Sequence, residues 1–339
     1  MHAIRYDHAR VHYLADLDTP QPGPGEVQLA VRSTGVCGTD VHLHHGEFGP
    51  VYPLTPGHEV VAEVTELGDG VTHLATGQIV AVDNMVPCGT CPSCQRAQPG
   101  FCDFMRAFGH TAPGGFAEFM VAPATRCHPV DDIDIDTAVL AEPISCAVHG
   151  LDVLDAPTGS DVLLLGAGPT GLILTQLLRS GGSGRLTVAS STAFKLELAA
   201  GYGADETVQT RFTGDATSVA PLRKIAPDGF DIVIDATGSV DAIGHGTSLL
   251  RNGGTMLVYG MTAEQALVPF RPYDIFRREL TIKGSFARSY GFDRAVRMLR
   301  TGRVRAEGFV THRFGLSEYG EAIRTVANDS TCLKAVIQP

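Results

Sequence analysis

The sequence predicts a mixed α/β chain in which a β-rich part is joined to a doubly wound parallel sheet. Three observations carry that expectation. At 339 residues the chain exceeds what one hydrophobic core comfortably serves, so two domains are expected. The segment before Ser160 holds short apolar runs separated by turn-forming stretches, namely PGPG at 22–25, PGHE at 56–59 and GDG at 68–70, which is the punctuation of an all-β body. From Ser160 onward, apolar strand-like runs alternate with helical stretches, the rhythm of a parallel sheet covered on both faces.

In chain order, the runs at 26–31, Glu59–Leu67 and 78–82 read as strands, and a helical pattern covers 136–153. DVLLLG at 161–166 is a buried strand of the parallel kind, followed by a helix over 170–179. Leu186–Ser190, Phe230–Asp235, 254–260 and 280–286 read as further strands, with helices over 193–202 and 240–250 between them. A helix at Phe292–Arg300 and strands at Val310–Phe314 and Lys334–Ile337 are too few for a third domain and are expected to complete the first. The expected domains are therefore 1–152 with 287–339, and 153–286.

Hydrophobic residues at 44% and charged residues at 19% are ordinary for a folded chain. A net charge of −11 repels phosphate backbones and anionic lipid, so neither nucleic acid nor a membrane surface is an expected partner. No apolar run of about 18 residues is evident, so no transmembrane helix is expected. The first residues carry charges throughout and do not resemble a secretory signal, so a cytoplasmic location is expected, where thiols stay reduced. The eight cysteines then call for something other than disulfides.

Cys88, Cys91, Cys94 and Cys102 stand in PCGTCPSCQRAQPGFC. Two residues between successive sulfurs let one tight loop present several thiolates to a single zinc ion, and four sulfurs close its coordination, making it structural. Four unrelated buried thiols or an iron–sulfur cluster are the weaker alternatives. Cys127, Cys146 and Cys332 read as small buried hydrophobes.

GAGPTG at 166–171 fits G-x-G-x-x-G and sits between a strand and a helix, the context in which that motif binds a dinucleotide. Gly166 permits the turn, Gly168 admits the pyrophosphate, Gly171 lets helix and sheet approach, and the helix start at Pro169 and Thr170 favours the phosphates. NAD-preferring sites place an acid at the end of the second strand. Here Ser190 and Ser191 stand there with Lys195 nearby, which favours NADP while leaving NAD open. Thr237 and Gly260, after later strands, are candidate contacts on the nicotinamide side.

CGTD (37–40), PGHE, the four-cysteine loop, GGFAEF (114–119), AEP (141–143) and GAGPTG occur in the order found in zinc-containing medium-chain alcohol dehydrogenases, which the chain resembles over nearly its whole length. It is most similar to the polyol branch, which includes sorbitol, xylitol and arabinitol dehydrogenases, because Glu142 stands where ethanol-type enzymes carry a cysteine. The resemblance implies a GroES-like β-rich catalytic domain, a Rossmann domain and two zinc ions per chain, one catalytic and one structural. It implies hydride transfer between NAD(P) and a secondary alcohol, either a polyol or cyclitol or a simpler alcohol. It places Cys37, His58 and Glu142 around a catalytic zinc, with Glu59 as a nearby carboxylate that ligates directly or through water. It also implies that the Thr39 hydroxyl takes the alcohol proton and that His42 passes it on. A helix N-cap for Thr39 and a surface position for His42 are the competing expectations. His44, His45 and His110 are expected at the surface or on a cavity wall, with no role. Leu43 and the Phe286-Ala287-Arg288 order depart from the sorbitol enzymes and argue against sorbitol itself. A homodimer or homotetramer, associating near the strand at 281–286, is implied. Zinc-free quinone or enone reductases lack these ligands, and a non-catalytic role leaves them without purpose.

Overall fold

A computed structural model describes all residues, Met1–Pro339. The chain forms two compact units, Met1–Ser145 with Ser289–Pro339, and Cys146–Arg288. The division between Ser145 and Cys146 falls inside a helix.

The first unit opens with an antiparallel hairpin of β1 (His2–His8) and β2 (Val11–Asp16). The sequence reading missed this hairpin because His, Arg and Asp are dense there and hide the alternation. β3 (Glu26–Val36) is the longest strand, and α1 (Gly38–His45) follows it directly. Finding α1 corrects the expectation of an all-β body. The helix carries only Val41 and Leu43 as apolar residues, too few to show a period. Next come β4 (Glu59–Leu67), β5 (Ile79–Val82), β6 (Met85–Val86), a single turn α2 (Pro92–Gln95), β7 (Arg106–Ala107), β8 (Phe119–Pro123) and β9 (Cys127–Pro129). The stretch expected as one helix is two: α3 (Ile135–Ala138) and α4 (Ala141–Leu154). Taken together, Ile135–Leu154 contains an 18-residue window of mean hydropathy 1.3, enough by length and composition to cross a membrane, which corrects the expectation that no such run exists. Yet 67% of its most apolar window is buried inside the molecule, as in a core helix.

In the second unit β10 (Val162–Leu165), α5 (Pro169–Ser180), β11 (Leu186–Ser190), α6 (Ala193–Gly201), β12 (Glu206–Gln209), α7 (Ala220–Ile225), β13 (Phe230–Asp235), α8 (Val240–Leu249), β14 (Leu250–Val258), α9 (Pro272–Arg278) and β15 (Thr281–Gly284) alternate. The six strands are all parallel, in the order β12-β11-β10-β13-β14-β15. That order reverses between β10 and β13, the switch point where open α/β sheets bind ligands. All four side chains of β10 are buried, as expected of a central parallel strand. The core around them includes Leu163, Leu165, Val233 and Phe230, and burying a side chain of that size contributes about 1.5–3 kcal/mol.

The chain then returns to the first unit with α10 (Phe292–Arg300), β16 (Val310–Phe314), α11 (Tyr319–Asn328) and β17 (Lys334–Ile337). The large sheet there runs β16-β17-β3-β4-β5-β9, with β8 also pairing β3. β17 lies antiparallel to β3 and sets Val336 opposite Gly35, while β4 on the other side sets Glu59 opposite Gly35.

Candidate metal centres and dinucleotide turn

β3 ends at Val36, and the next residue, Cys37, caps α1. Cys37 and not Thr39 is the N-cap, so Thr39 lies inside the first turn and the competing N-cap expectation fails. Asp40 reaches back within that turn, and its Oδ2 accepts the Cys37 N–H at 2.8 Å. Its Oδ1 lies 3.5 Å from Nδ1 of His58, and the carboxylate is fully buried. His58 and Glu59 come from the start of β4. The donor atoms of Cys37, His58 and Glu59 all lie within 4.8 Å of one another. A tetrahedral zinc ion with its usual bond lengths holds donors about 3.5 Å apart, so this set fits an ion with small adjustments. Sulfur, imidazole and carboxylate are also the chemistry zinc selects. Glu142, at the start of α4, is buried and lies outside this close group, near enough for its charge to raise the Glu59 carboxyl.

The electrostatics of the set are shaped by two residues that the sequence reading missed. Burial pulls the His58 ring toward neutrality, but Asp40, and then Cys37, outweigh it and hold its pKa well above 6.5. With Asp40 at Nδ1, Nε2 is the nitrogen left for a metal, the carboxylate–histidine arrangement common beside zinc. The second residue is Lys334, whose Nζ donates to both Glu59 oxygens at 2.7 Å in a fully buried pair. Burial raises the Glu59 carboxyl and Lys334 opposes that shift.

Thr39 Oγ1 lies 3.7 Å from Cys37 Sγ. His42 follows three residues later, so it shares a helix face with Thr39. Its Nδ1 lies 2.5 Å from Glu47 Oε2, a partner that sequence reasoning did not find. His44, expected to be without a role, binds Tyr6 Oη at 2.8 Å within a cluster that includes His12 and Tyr319. His110 stacks on Phe48, and burial lowers its pKa.

The four sulfurs of Cys88, Cys91, Cys94 and Cys102 also lie within 4.8 Å of one another. Cys91 caps α2 and Pro92 opens it, so one helical turn sets Cys94 beside Cys91. Cys88 Sγ accepts from the Thr90 and Cys91 N–H groups at 3.4 and 3.3 Å, and Cys102 Sγ accepts from the Cys88 N–H at 3.2 Å. Those donors, with the Thr90 hydroxyl, bring the Cys88 thiol down to about 6. Backbone N–H groups lower Cys91 as well, while burial pushes Cys94 up to about 12; the convergence of four sulfurs in one loop is what suits a closed zinc site. All eight cysteines are free of disulfides.

In the second unit the glycine-rich turn joins β10 to α5. Gly166 has φ of 107°, and a Cβ on Gly171 would lie 2.2 Å from Gly166 O, so both glycines are required where the sequence put them. Gly168 caps α5, and Pro169 and Thr170 begin it. Ser190 ends β11. Its Oγ accepts from the Thr192 N–H at 3.4 Å, and Lys195 lies in the first turn of α6 beside the Phe194 ring. No carboxylate stands at that strand end. Asp235, which the sequence reading passed over, ends β13 fully buried. Its side chain accepts from the Thr237 N–H at 3.0 Å and the Gly238 N–H at 3.2 Å, while its backbone O accepts the Gly260 N–H at 2.8 Å. Asp235 thereby joins the loops carrying Thr237 and Gly260, the first through its carboxyl and the second through its backbone, and burial raises the carboxyl's pKa.

The family model for the alcohol dehydrogenase GroES-like domain matches residues 23–132, and that for zinc-binding dehydrogenases matches 169–301. D-arabinitol dehydrogenase 1 of Uromyces fabae is 40% identical over 100% of this chain and 97% of its own length. D-altritol 5-dehydrogenase of Agrobacterium fabrum is 35% identical, covering 94% of each chain. A solved structure from Sinorhizobium meliloti, assigned to the zinc-binding dehydrogenases and bound to NADP, superposes with a TM-score of 0.92 at 30% identity, covering 100% of this chain and 99% of that one. Another structure of the same fold, 27% identical, holds NADH. The fold and the donor sets define a zinc- and nicotinamide-dependent oxidoreductase with GroES-like and Rossmann domains. The chain belongs to the zinc-containing medium-chain alcohol dehydrogenase family, in its polyol branch.

Proposed function

We propose that the chain oxidises a secondary hydroxyl of an open-chain sugar alcohol with NADP, and reduces the matching ketose in reverse, using a catalytic and a structural zinc ion. The observation that carries this is the trio of Cys37, His58 and Glu59 with Glu142 beside it, a mixed sulfur, nitrogen and oxygen donor set of the catalytic kind that contrasts with the four-sulfur loop. The two relatives named above as arabinitol and altritol dehydrogenases support the substrate class. Ser190, Ser191 and Lys195 support NADP, since hydroxyls and a cation accept a 2′-phosphate that a carboxylate would repel.

When bound, zinc supplies Lewis acidity to the substrate oxygen and the nicotinamide accepts hydride. The residues of the chain do the rest. Cys37, His58 and one or both of Glu59 and Glu142 hold the ion, and Asp40 orients His58. Thr39 Oγ1 accepts the hydroxyl proton as it gives up its own, and His42, with Nδ1 turned to Glu47, takes up the released proton at Nε2 and passes it to solvent. Gly166, Gly168 and the start of α5 hold the pyrophosphate, and Thr237 and Gly260 line the nicotinamide side. The reduced thiols suit the cytoplasm, and a homodimer or homotetramer is part of the same proposal.

The test is metal analysis of the purified protein together with a panel of alditols, cyclitols and simple secondary alcohols, each with NAD and NADP. Two zinc ions per chain are expected, with an alditol as the best substrate and kcat/KM at least about tenfold higher with NADP. Cys37→Ala should retain one zinc and lose about 1,000-fold or more in kcat. A single zinc in the active wild type, or full activity in Cys37→Ala, would overturn the reading.

A further inference from the structure

Glu59 and Lys334 stand on strands that are not neighbours. Glu59 opens β4 and Lys334 opens β17, with β3 between them in the sheet. Their side chains meet across β3 at Gly35, which is opposite Glu59 in one ladder and Val336 in the other. A Cβ on Gly35 would lie 1.9 Å from Glu59 Oε2, so the bridge crosses the strand only because that residue is glycine. The crossing lies two residues before Cys37, and the Lys334 cation also senses the Cys37 and Glu142 charges. The pair is buried, with side-chain exposures of 4% and 0%.

A thiolate and two carboxylates outweigh a divalent ion by one negative charge. Lys334 provides the one positive charge that balances them, and it does so from the far side of β3, bound to both oxygens of Glu59. Resting on the zinc-site reading above, we propose that Lys334 is the positioning residue that keeps this donor set electrically neutral around its ion and restrains Glu59 from closing the open coordination position. With Lys334 in place the ion remains electron-poor enough to acidify an alcohol. Without it, Glu59 is free to bind the ion, which is then held harder and acidifies substrate less.

The experiment compares wild type, Lys334→Met, Lys334→Arg and the double variant Glu59→Gln/Lys334→Met. Zinc retention is measured by competition with a chelating dye, and the pH dependence of kcat for alcohol oxidation is followed with the best alditol. Lys334→Met should retain the catalytic zinc at least about tenfold more tightly, and its pH midpoint should move up by about one pH unit. Lys334→Arg should restore both. The double variant lacks the carboxylate that Lys334 restrains, so it should hold zinc less tightly than Lys334→Met and its pH midpoint should lie below that of Lys334→Met, even if the single variant folds poorly. Weaker zinc retention in Lys334→Met with an unmoved pH midpoint, or a double variant no closer to wild type than the single, would show a merely structural brace and overturn the proposal. A wild type with no zinc beyond the four-sulfur ion would instead overturn the zinc-site reading itself.

Discussion

Asp40 performs two tasks with one buried carboxylate. Oδ2 fixes the Cys37 backbone at the start of α1, and Oδ1 faces His58, so the two donors from separate strands are referenced to one side chain. Asp40→Asn keeps the shape but removes the charge that orients the imidazole. Zinc affinity at this site should fall about 10- to 100-fold, with the four-sulfur zinc retained. Metal titration of the variant checks this, and an unchanged affinity would remove Asp40 from the site. At this scale the sequence was legible where chemistry is local. The four cysteines fall within one short loop and the three glycines within one turn, and the structure brings each group together. Cys37 and Glu142 lie more than a hundred residues apart, and only the family resemblance joined them. Asp40, Glu47, Asp235 and Lys334 were not legible. Asp40 stands within CGTD and Asp235 ends a predicted strand, yet the role of each of the four depends on a partner that folding supplies, such as Glu59 for Lys334, 275 residues away.

Elements were readable in proportion to their burial. The parallel strands are continuous apolar runs, and β10, β11 and β13 lie where the pattern placed them, whereas β1, β2, β12 and α1 carry polar or titratable residues and show no clear period. The histidines that obscured this region also give it a pH response. His44, near the end of α1, binds Tyr6 of β1 and lies against His12 of β2, with Tyr319 of α11 completing the cluster. Burial lowers the His44 pKa below 6.5, with His45, His12 and Arg10 adding to it; burial and then Arg324 lower that of His12. The folded protein therefore favours the neutral rings, while the unfolded chain takes up protons near the ordinary value. The stability they contribute is present above about pH 6.5 and is lost as pH falls through the depressed folded-state values. The melting temperature should decline with acidification in that window. His44→Gln, which keeps a polar partner for Tyr6, should flatten the decline by up to about one proton per molecule. Melting curves from pH 5 to 8 decide this, and parallel slopes for the two proteins would exclude His44.

At the scale of the whole molecule, the second unit leaves its parallel sheet with two unlike edges. β12, the strand ETVQ, is polar and flanked by charge, whereas β15 at the other edge presents Ile282 at 37% exposure beside Phe286 at 47%. α9, just before β15, has no buried residue and exposes Tyr273 and Phe276 at 69% and 78%. Lysine on an edge strand usually discourages pairing, but Lys283 is committed elsewhere, since its Nζ donates to the Val153 and Leu154 carbonyls at the end of α4. The dimer proposed above would use this apolar edge, pairing β15 with β15 about a two-fold axis and covering both sets of aromatics. Light scattering should therefore give at least a dimer at micromolar concentration, and Ile282→Lys should shift it toward monomer while leaving the zinc content intact. A monomeric wild type would rule out assembly through this edge, and an Ile282→Lys dimer as tight as wild type would place the contact on another face.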